Sequence, residues 1–178
     1  MASPAPTWPE PTRWALERLA RGGGTVLLLG GVDTGKSTLA AELVNRGLAA
    51  GRRVAVVDAD VGQSDVGPPA TIGLGFPGAP AGSLAEIAAE RLYFVGDTSP
   101  AGHLLPAVVG TSRLAHVARA RGCDLIVVDT TGMVSGRLAE ALKFHKIQAV
   151  RPRALVAVQA AAEVEPLLAP FDAPGGPR

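Results

Sequence analysis

One cysteine, Cys123, stands among the 178 residues, so an internal disulfide is excluded and the chain fits a reducing compartment. It follows Gly122 and precedes an apolar run, which reads as a plain buried thiol rather than a catalytic one. Charge of either sign is not in excess. With a formal net charge of +1, no global field steers the protein to nucleic acid or to an anionic membrane, and any basic binding surface has to be local. No apolar stretch approaches the roughly 18 residues of a membrane span. Met1-Ala2-Ser3-Pro4-Ala5-Pro6 lacks a basic region followed by an apolar one, so no secretory signal is read there and a cytoplasmic protein is expected. His103 and His145 lack the partner spacing of metal sites. No internal repeat is present. Glycine (22) and proline (15) are plentiful and gather in loops and at the two ends. Otherwise the composition, 47% hydrophobic and 19% charged, is that of a globular domain long enough to bury a core.

Against that background one motif stands out. Gly30-Gly31-Val32-Asp33-Thr34-Gly35-Lys36-Ser37 spells G-x-x-x-x-G-K-S, followed by Thr38. Glycine lets the backbone take positive φ and approach an anion without a Cβ clash. Successive N–H groups, with the N-terminus of a following helix, make a concave site for phosphates. Lys36 is the residue that reaches the β- and γ-phosphates, and the Ser37 hydroxyl is the one that holds Mg²⁺. The context fits: residues 25–29 are a short apolar run that reads as a buried strand, and residues 37–50 are rich in Leu, Ala and Glu and read as a helix.

The rest of the chain alternates in the same way. A helix capped by Thr12 carries Trp14, Leu16 and Leu19 and ends at Gly22-Gly23-Gly24. Further strands are expected at 53–58, 92–95, 124–129 and 154–158, and helices at 83–90, 103–121 and 136–149; residues 59–82 read as a Gly/Pro-rich loop. Continuous apolar strands alternating with helices predict a three-layer α/β P-loop NTPase fold, with a mainly parallel sheet of about five or more strands flanked by helices. The expected layout is a loose N-terminal segment at 1–10, one P-loop domain at 11–168 and a disordered tail at 169–178.

In such sheets ligands sit beyond the carboxyl ends of the strands, so the residues after each strand carry the information. After the second strand come Asp58 and Asp60, then Gly62-Gln63-Ser64. Two carboxylates at i and i+2 beside a triphosphate can orient Mg²⁺, accept a proton from a hydroxyl nucleophile, or do both; otherwise they cap a loop. Thr98-Ser99-Pro100 by itself reads as a turn. Asp129-Thr130-Thr131-Gly132 has the D-x-x-G form of a GTPase switch, but the fifth strand is followed by Gln159-Ala160-Ala161-Ala162-Glu163 rather than a guanine-reading N-K-x-D. Lys143 and Lys146, three apart on one helix, read either as a phosphate-tracking surface or as a solvated helix face.

Taken together these segments resemble the ATP-dependent polynucleotide 5′-hydroxyl kinases, a family that includes the RNA kinase subunit of the mRNA cleavage factor and the ribosomal-RNA-processing kinases. The resemblance runs over about residues 24 to 160. It rests on residues 30–38 with Asp33 inside the loop, Asp58-Ala59-Asp60-Val61-Gly62-Gln63-Ser64, Pro68-Pro69, Thr98-Ser99-Pro100, Asp129-Thr130-Thr131-Gly132 with Val134-Ser135-Gly136, and Leu142-Lys143, Lys146-Ile147 and Val150-Arg151-Pro152. It implies transfer of the γ-phosphate of ATP, with Mg²⁺, to the 5′-hydroxyl of single-stranded RNA or DNA. Residues Gly30, Gly31, Val32, Asp33, Thr34, Gly35, Lys36, Ser37 and Thr38 would hold the nucleotide. Asp60 would be the general base, Asp58 would organise the metal through water, and Gln63 would hold metal-bound water or the reacting phosphates. Thr131, Gly132 and Met133 correspond to the clasp on the substrate end. Met133 stands where eukaryotic members carry a stacking tryptophan, and the arginine-bearing lid that follows the fifth strand in the family is not read beyond Val158. An ATP-binding interaction module with little turnover is the alternative that this implies, and another P-loop kinase or a GTPase is the second. The protein partners are not specified by the sequence.

Overall fold

The computed structural model describes residues 7–172. Residues 1–6 of the expected loose segment and 173–178 of the expected tail lie outside them. Eleven regular elements follow one another: α1 (Glu10–Gly22), β1 (Gly24–Gly30), α2 (Lys36–Ala49), β2 (Val54–Ala59), β3 (Thr71–Gly75), β4 (Ala89–Phe94), α3 (Leu104–Ala120), β5 (Leu125–Thr130), α4 (Arg137–Val150), β6 (Ala154–Val158) and α5 (Glu165–Asp172). The strands form one sheet in the order β4-β3-β2-β5-β1-β6. The pairs β2–β5, β5–β1 and β1–β6 are parallel, whereas β2–β3 and β3–β4 are antiparallel.

The central strands are apolar at nearly every position because both of their faces are covered. Leu27, Leu29, Val57, Ile126 and Val128 point into the core shared with α3, α4 and α5. Their neighbours Val26, Leu28, Val56, Leu125 and Val127 point into the core shared with α1 and α2. A helix layer on each side of a sheet follows directly from that alternation. Five strands and four of the helices stand near where sequence periodicity puts them.

The differences have physical reasons. Helix α1 starts at Glu10 behind Pro9, two residues before the expected Thr12 cap, and no side chain caps it. Pro11 sits in the first turn, where a missing N–H costs nothing because those donors are unpaired anyway. The expected loop 59–82 contains β3, whose sequence Thr-Ile-Gly-Leu-Gly gives a weak strand signal because glycine lowers strand propensity. The expected helix 83–90 is only a single 3-10 turn, Leu84–Glu86, after which residues 89–90 already belong to β4. The local Ala/Glu helix preference loses to antiparallel pairing with β3 and to burial of Leu84 and Ile87. Residues 169–172 form the end of α5, where the sequence suggests the start of a tail; Val164 and Leu167 anchor that region in the core.

Gly73 in β3 is there because the chain passes too close for anything larger. A Cβ at this position would lie 1.6 Å from the carbonyl oxygen of Val66. That carbonyl belongs to the loop leaving β2, so the close approach locks the loop onto the sheet. Gly73→Ala is expected to destabilise the protein by about 2–3 kcal/mol through overpacking. A thermal unfolding midpoint lowered by roughly 4–12 °C in calorimetry would show it, and an unchanged midpoint would refute it.

Candidate active site

The strand order sets the carboxyl ends of β1, β5 and β2 side by side, with β5 in the middle. Asp58 near the end of β2 and Asp129 near the end of β5 are register partners across that junction. Helix α2 begins where β1 has just ended, so its N-terminus and the loop 31–35 face the same crevice.

The P-loop residues take the conformation that the motif needs. Gly35 holds φ 83°, the left-handed turn into α2, and Asp33 sits at φ 58°, which a short polar side chain tolerates. The Thr34 hydroxyl donates to the Gly31 carbonyl at 3.0 Å and fastens the loop on itself. Lys36 is buried at 5% exposure, with Nζ 3.9 Å from Asp129 Oδ1. Asp33, Thr34, Gly35, Lys36, Ser37 and Thr38 line a cavity of about 300 Å³ together with Asp60 and Gln63. Thus the loop, one of the paired acids and Gln63 are brought together as the sequence suggests. A larger groove of about 510 Å³ lies between α3 and α4 and shares none of these residues. Its lining is mostly apolar, which suits no triphosphate.

The two acids have different surroundings. Asp58 is buried, and its carboxylate accepts N–H groups from Asp60 (3.0 Å), Asp65 (2.6 Å) and Val66 (2.8 Å). The Ser64 hydroxyl adds a longer contact at 3.4 Å. This side chain shapes the loop that follows β2. Burial pushes its carboxyl up to about 7, while the amides of Val66, Asp60 and Asp65 pull the other way and the Asp129 charge adds to the rise. Asp60 is half-buried and opens to the cavity. Its Oδ1 accepts the N–H groups of Gly62 and Gln63, both at 3.1 Å, and among the described residues its Oδ2 accepts none. Gln63 is exposed on the cavity wall.

Asp129 is the residue that sequence reasoning noticed without placing in the site. Its Oδ2 accepts the Ser37 hydroxyl at 2.6 Å. Burial raises its carboxyl, opposed by the Lys36 charge and the Ser37 hydrogen bond. The available signal was an acid ending an apolar strand that has to pair with the P-loop strand. After it, Thr131 is buried and Gly132 packs on the P-loop: a Cβ there would lie 2.7 Å from Val32 N. Met133 is half-buried against the core on the α3–α4 side. The Thr98-Ser99-Pro100 turn also reaches the site, since a Cβ on Gly62 would lie 3.0 Å from the Thr98 carbonyl oxygen.

Lys143 and Lys146 overturn both surface readings. They are exposed by 0% and 1%, facing inward from α4. Lys143 Nζ donates to Thr130 Oγ1 at 2.8 Å and to the Thr131 carbonyl, and Lys146 Nζ donates to the Ala59 carbonyl at 3.2 Å. Burial lowers the Lys146 ammonium and the charges of Asp60, Asp58 and Asp129 partly oppose it, leaving it at about 8. Burial and the neighbouring Lys146 and Lys36 charges hold Lys143 well below the usual lysine range.

A hydroxyl and one carboxylate, Ser37 and Asp129, form the kind of oxygen donor set that suits Mg²⁺ arriving with a phosphate ligand. Among the described residues no cluster of three or more His, Cys, Asp or Glu forms a complete protein cage. That arrangement fits an ion completed by nucleotide and water. Likewise, among the described residues no helix is long and apolar enough to cross a membrane.

The chain is also similar to known proteins. Residues 30–173 match the family model described as mRNA cleavage and polyadenylation factor CLP1 P-loop. A polyribonucleotide 5′-hydroxyl-kinase of Methanocaldococcus jannaschii is 44% identical over 147 residues, covering 83% of this chain and 40% of that protein. Its counterpart in Pyrococcus furiosus is 37% identical over 166 residues, covering 92% and 46%. The Clp1 polyribonucleotide 5′-hydroxyl-kinase of Xenopus tropicalis is 36% identical over 143 residues, covering 75% and 32%. The chain therefore spans less than half the length of these relatives. A solved structure of the wild-type Clp1p–Pcf11p complex superposes with a TM-score of 0.60 at 16% identity, covering 90% of this chain and 44% of that one, a likeness of fold.

The Asp58 environment has a pH signature. Its folded-state value of about 7 lies above the ordinary 3.8, so between those values the folded state binds more protons than the unfolded state. The stability that this group contributes is therefore full at low pH and falls as pH rises through the window. Asp58→Asn removes that dependence. In nucleotide-free protein without divalent metal, wild type is expected to lose roughly 2–3 kcal/mol relative to Asp58→Asn between about pH 5 and pH 7. Urea unfolding at the two pH values measures the difference; parallel profiles would show that Asp58 is already ionised.

Proposed function

The chain belongs to the mRNA cleavage and polyadenylation factor CLP1 P-loop family, and on that premise we propose that it transfers the γ-phosphate of ATP to the 5′-hydroxyl end of RNA or DNA. One observation carries the reading. Asp60 presents an unengaged carboxylate oxygen to the cavity that the P-loop lines. A nucleotide-binding module without transfer needs no such group.

The chain's own residues divide the work. Backbone N–H groups of residues 31–36 and the Lys36 ammonium cradle the phosphates, and in the transition state they neutralise charge that spreads over the γ-phosphoryl oxygens. Ser37 and Asp129 would hold Mg²⁺, which when bound would offset charge on the β- and γ-phosphates. Asp129 would be the acid nearer the metal, while Asp58, whose oxygens accept the loop N–H groups, would act on it only through water. Asp60 Oδ2 takes the proton of the attacking 5′-hydroxyl as its oxygen bonds to phosphorus and the bond to ADP breaks. Gln63, exposed beside Asp60, orients the acceptor end or the reacting phosphates. Thr131, Gly132 and Met133 bound the acceptor from the other side; Met133 offers an aliphatic contact in place of an aromatic platform. The lone cysteine suits a reducing, cytoplasmic setting for this activity.

Transfer of labelled γ-phosphate to matched 5′-hydroxyl RNA and DNA oligonucleotides, with ATP binding measured on the same samples, tests the proposal. Lys36→Ala is expected to abolish both. Asp60→Asn is expected to lower transfer by about 10²- to 10⁴-fold, the usual contribution of a general base, and to leave the ATP affinity within about twofold. Asp129→Ala is expected to remove the Mg²⁺ dependence of nucleotide binding. Tight ATP binding by wild type with no label on either oligonucleotide would replace this reading with the nucleotide-gated interaction module. Undiminished transfer by Asp60→Asn would remove the assigned base.

A further inference from the structure

Two ammonium groups lie fully buried under this site, and the chemistry above uses neither. Burying an ammonium costs several kcal/mol even after relaxation, and a methionine would fill a similar volume at no such cost. The presence of an amino group at both buried positions, 143 and 146, therefore calls for a reason in what they touch.

Their partners are two carbonyls and one hydroxyl at the ends of the adjacent strands β5 and β2. From positions i and i+3, both side chains leave the same side of α4. Lys143 holds Thr130 Oγ1 and the Thr131 carbonyl, and the Thr130 hydroxyl in turn donates to the Leu28 carbonyl of β1 at 2.7 Å. That chain of bonds joins the end of β5 to the strand that carries the P-loop. Lys146 holds the carbonyl of Ala59, the peptide unit directly before Asp60. The carboxylates of Asp60, Asp58 and Asp129 face it and support its charge. An ammonium donates up to three hydrogen bonds and, in a dry site, each bond to a carbonyl is stronger than in water.

We propose that Lys143 and Lys146 are positioning residues for phosphoryl transfer: two buried ties from α4, one fixing the Thr131–Met133 segment against the P-loop and the other fixing the peptide that aims Asp60. This rests on the kinase reading above. Lys146 acts on the step at Asp60, and Lys143 acts on the grip on the acceptor end. The two variants consequently differ in kind.

Lys143→Met and Lys146→Met, compared with wild type by transfer kinetics and by amide hydrogen exchange, separate this from a merely structural role. Lys146→Met is expected to lower kcat by about 10- to 100-fold, the effect of a misplacement of about an ångström. Its KM for ATP should stay within about twofold. Exchange should quicken at residues 59–64 and stay unchanged at 130–133. Lys143→Met is expected to raise KM for the 5′-hydroxyl oligonucleotide about tenfold, with faster exchange at 130–133 only. Loss of kcat and KM together in both variants, with exchange quickened throughout the chain, would overturn the proposal, and so would unchanged kinetics. Where a methionine variant does not fold, wild-type exchange decides: slow, core-like exchange at 59–64 and 130–133 without nucleotide is required, and the rates of a free loop there refute the ties. A wild type that binds ATP and transfers nothing would sink the kinase reading alone, leaving the exchange pattern to judge the ties.

Discussion

The arrangement depends on charge kept out of water beneath a phosphate cradle. Lys36, Asp58, Asp129, Lys143 and Lys146 are all almost inaccessible, yet each is ionisable. No one of them is tolerable alone at that depth, because an isolated ion in low dielectric shifts its protonation or opens the structure. They are tolerable as a set, with acids on β2 and β5 facing bases on α2 and α4. Asp129 is the hinge of the set. It meets Lys36 and Ser37 on one side and is the register partner of Asp58 on the other, and β5 holds it between the two strands that matter.

The apolar core serves this cluster by fixing relative strand height. Side chains that alternate between the two helix layers resist slippage of the sheet, since a shift of one residue would move every core side chain into the opposite helix layer, where its shape does not fit. Asp58 and Asp129 remain paired in register for that reason. The Asp58 carboxylate then converts strand height into loop shape by gathering the amides of Asp60, Asp65 and Val66. Val66, so held, lies against Gly73 and ties the loop to β3 as well. The site is thus a continuation of the sheet's order rather than a set of side chains on mobile loops.

Much of this was legible in the sequence, for identifiable reasons. The P-loop could be read because its glycines, lysine and serine each answer a local requirement, and the parallel core could be read because doubly buried strands are apolar without interruption. Strand β3 was hidden by the glycines that make its packing possible, and the 83–90 segment misled because its Ala/Glu preference is local whereas its pairing to β3 is not. Asp129 was visible as a residue but not as a ligand partner, since its meaning lies in a contact across 92 positions with Ser37. Lys143 and Lys146 show the sharpest limit. Charge at helical spacing ordinarily faces water, and nothing in the local sequence says that the oxygens awaiting them lie at the ends of β2 and β5.

The two antiparallel strands are attached to this machine at one side only. Strand β4 pairs with β3 and β3 with β2, so the hairpin-like appendage that carries the Thr98-Ser99-Pro100 turn borders the loop after β2 and pairs with neither β1 nor β6. Nucleotide handling, by contrast, is built on β1, α2 and β5. The fold therefore separates two heritable parts with one strand, β2, as their shared border. Under the proposed activity, changes on the outer hairpin would reach the loop after β2 and leave undisturbed the strands that flank the P-loop, which do not pair with it.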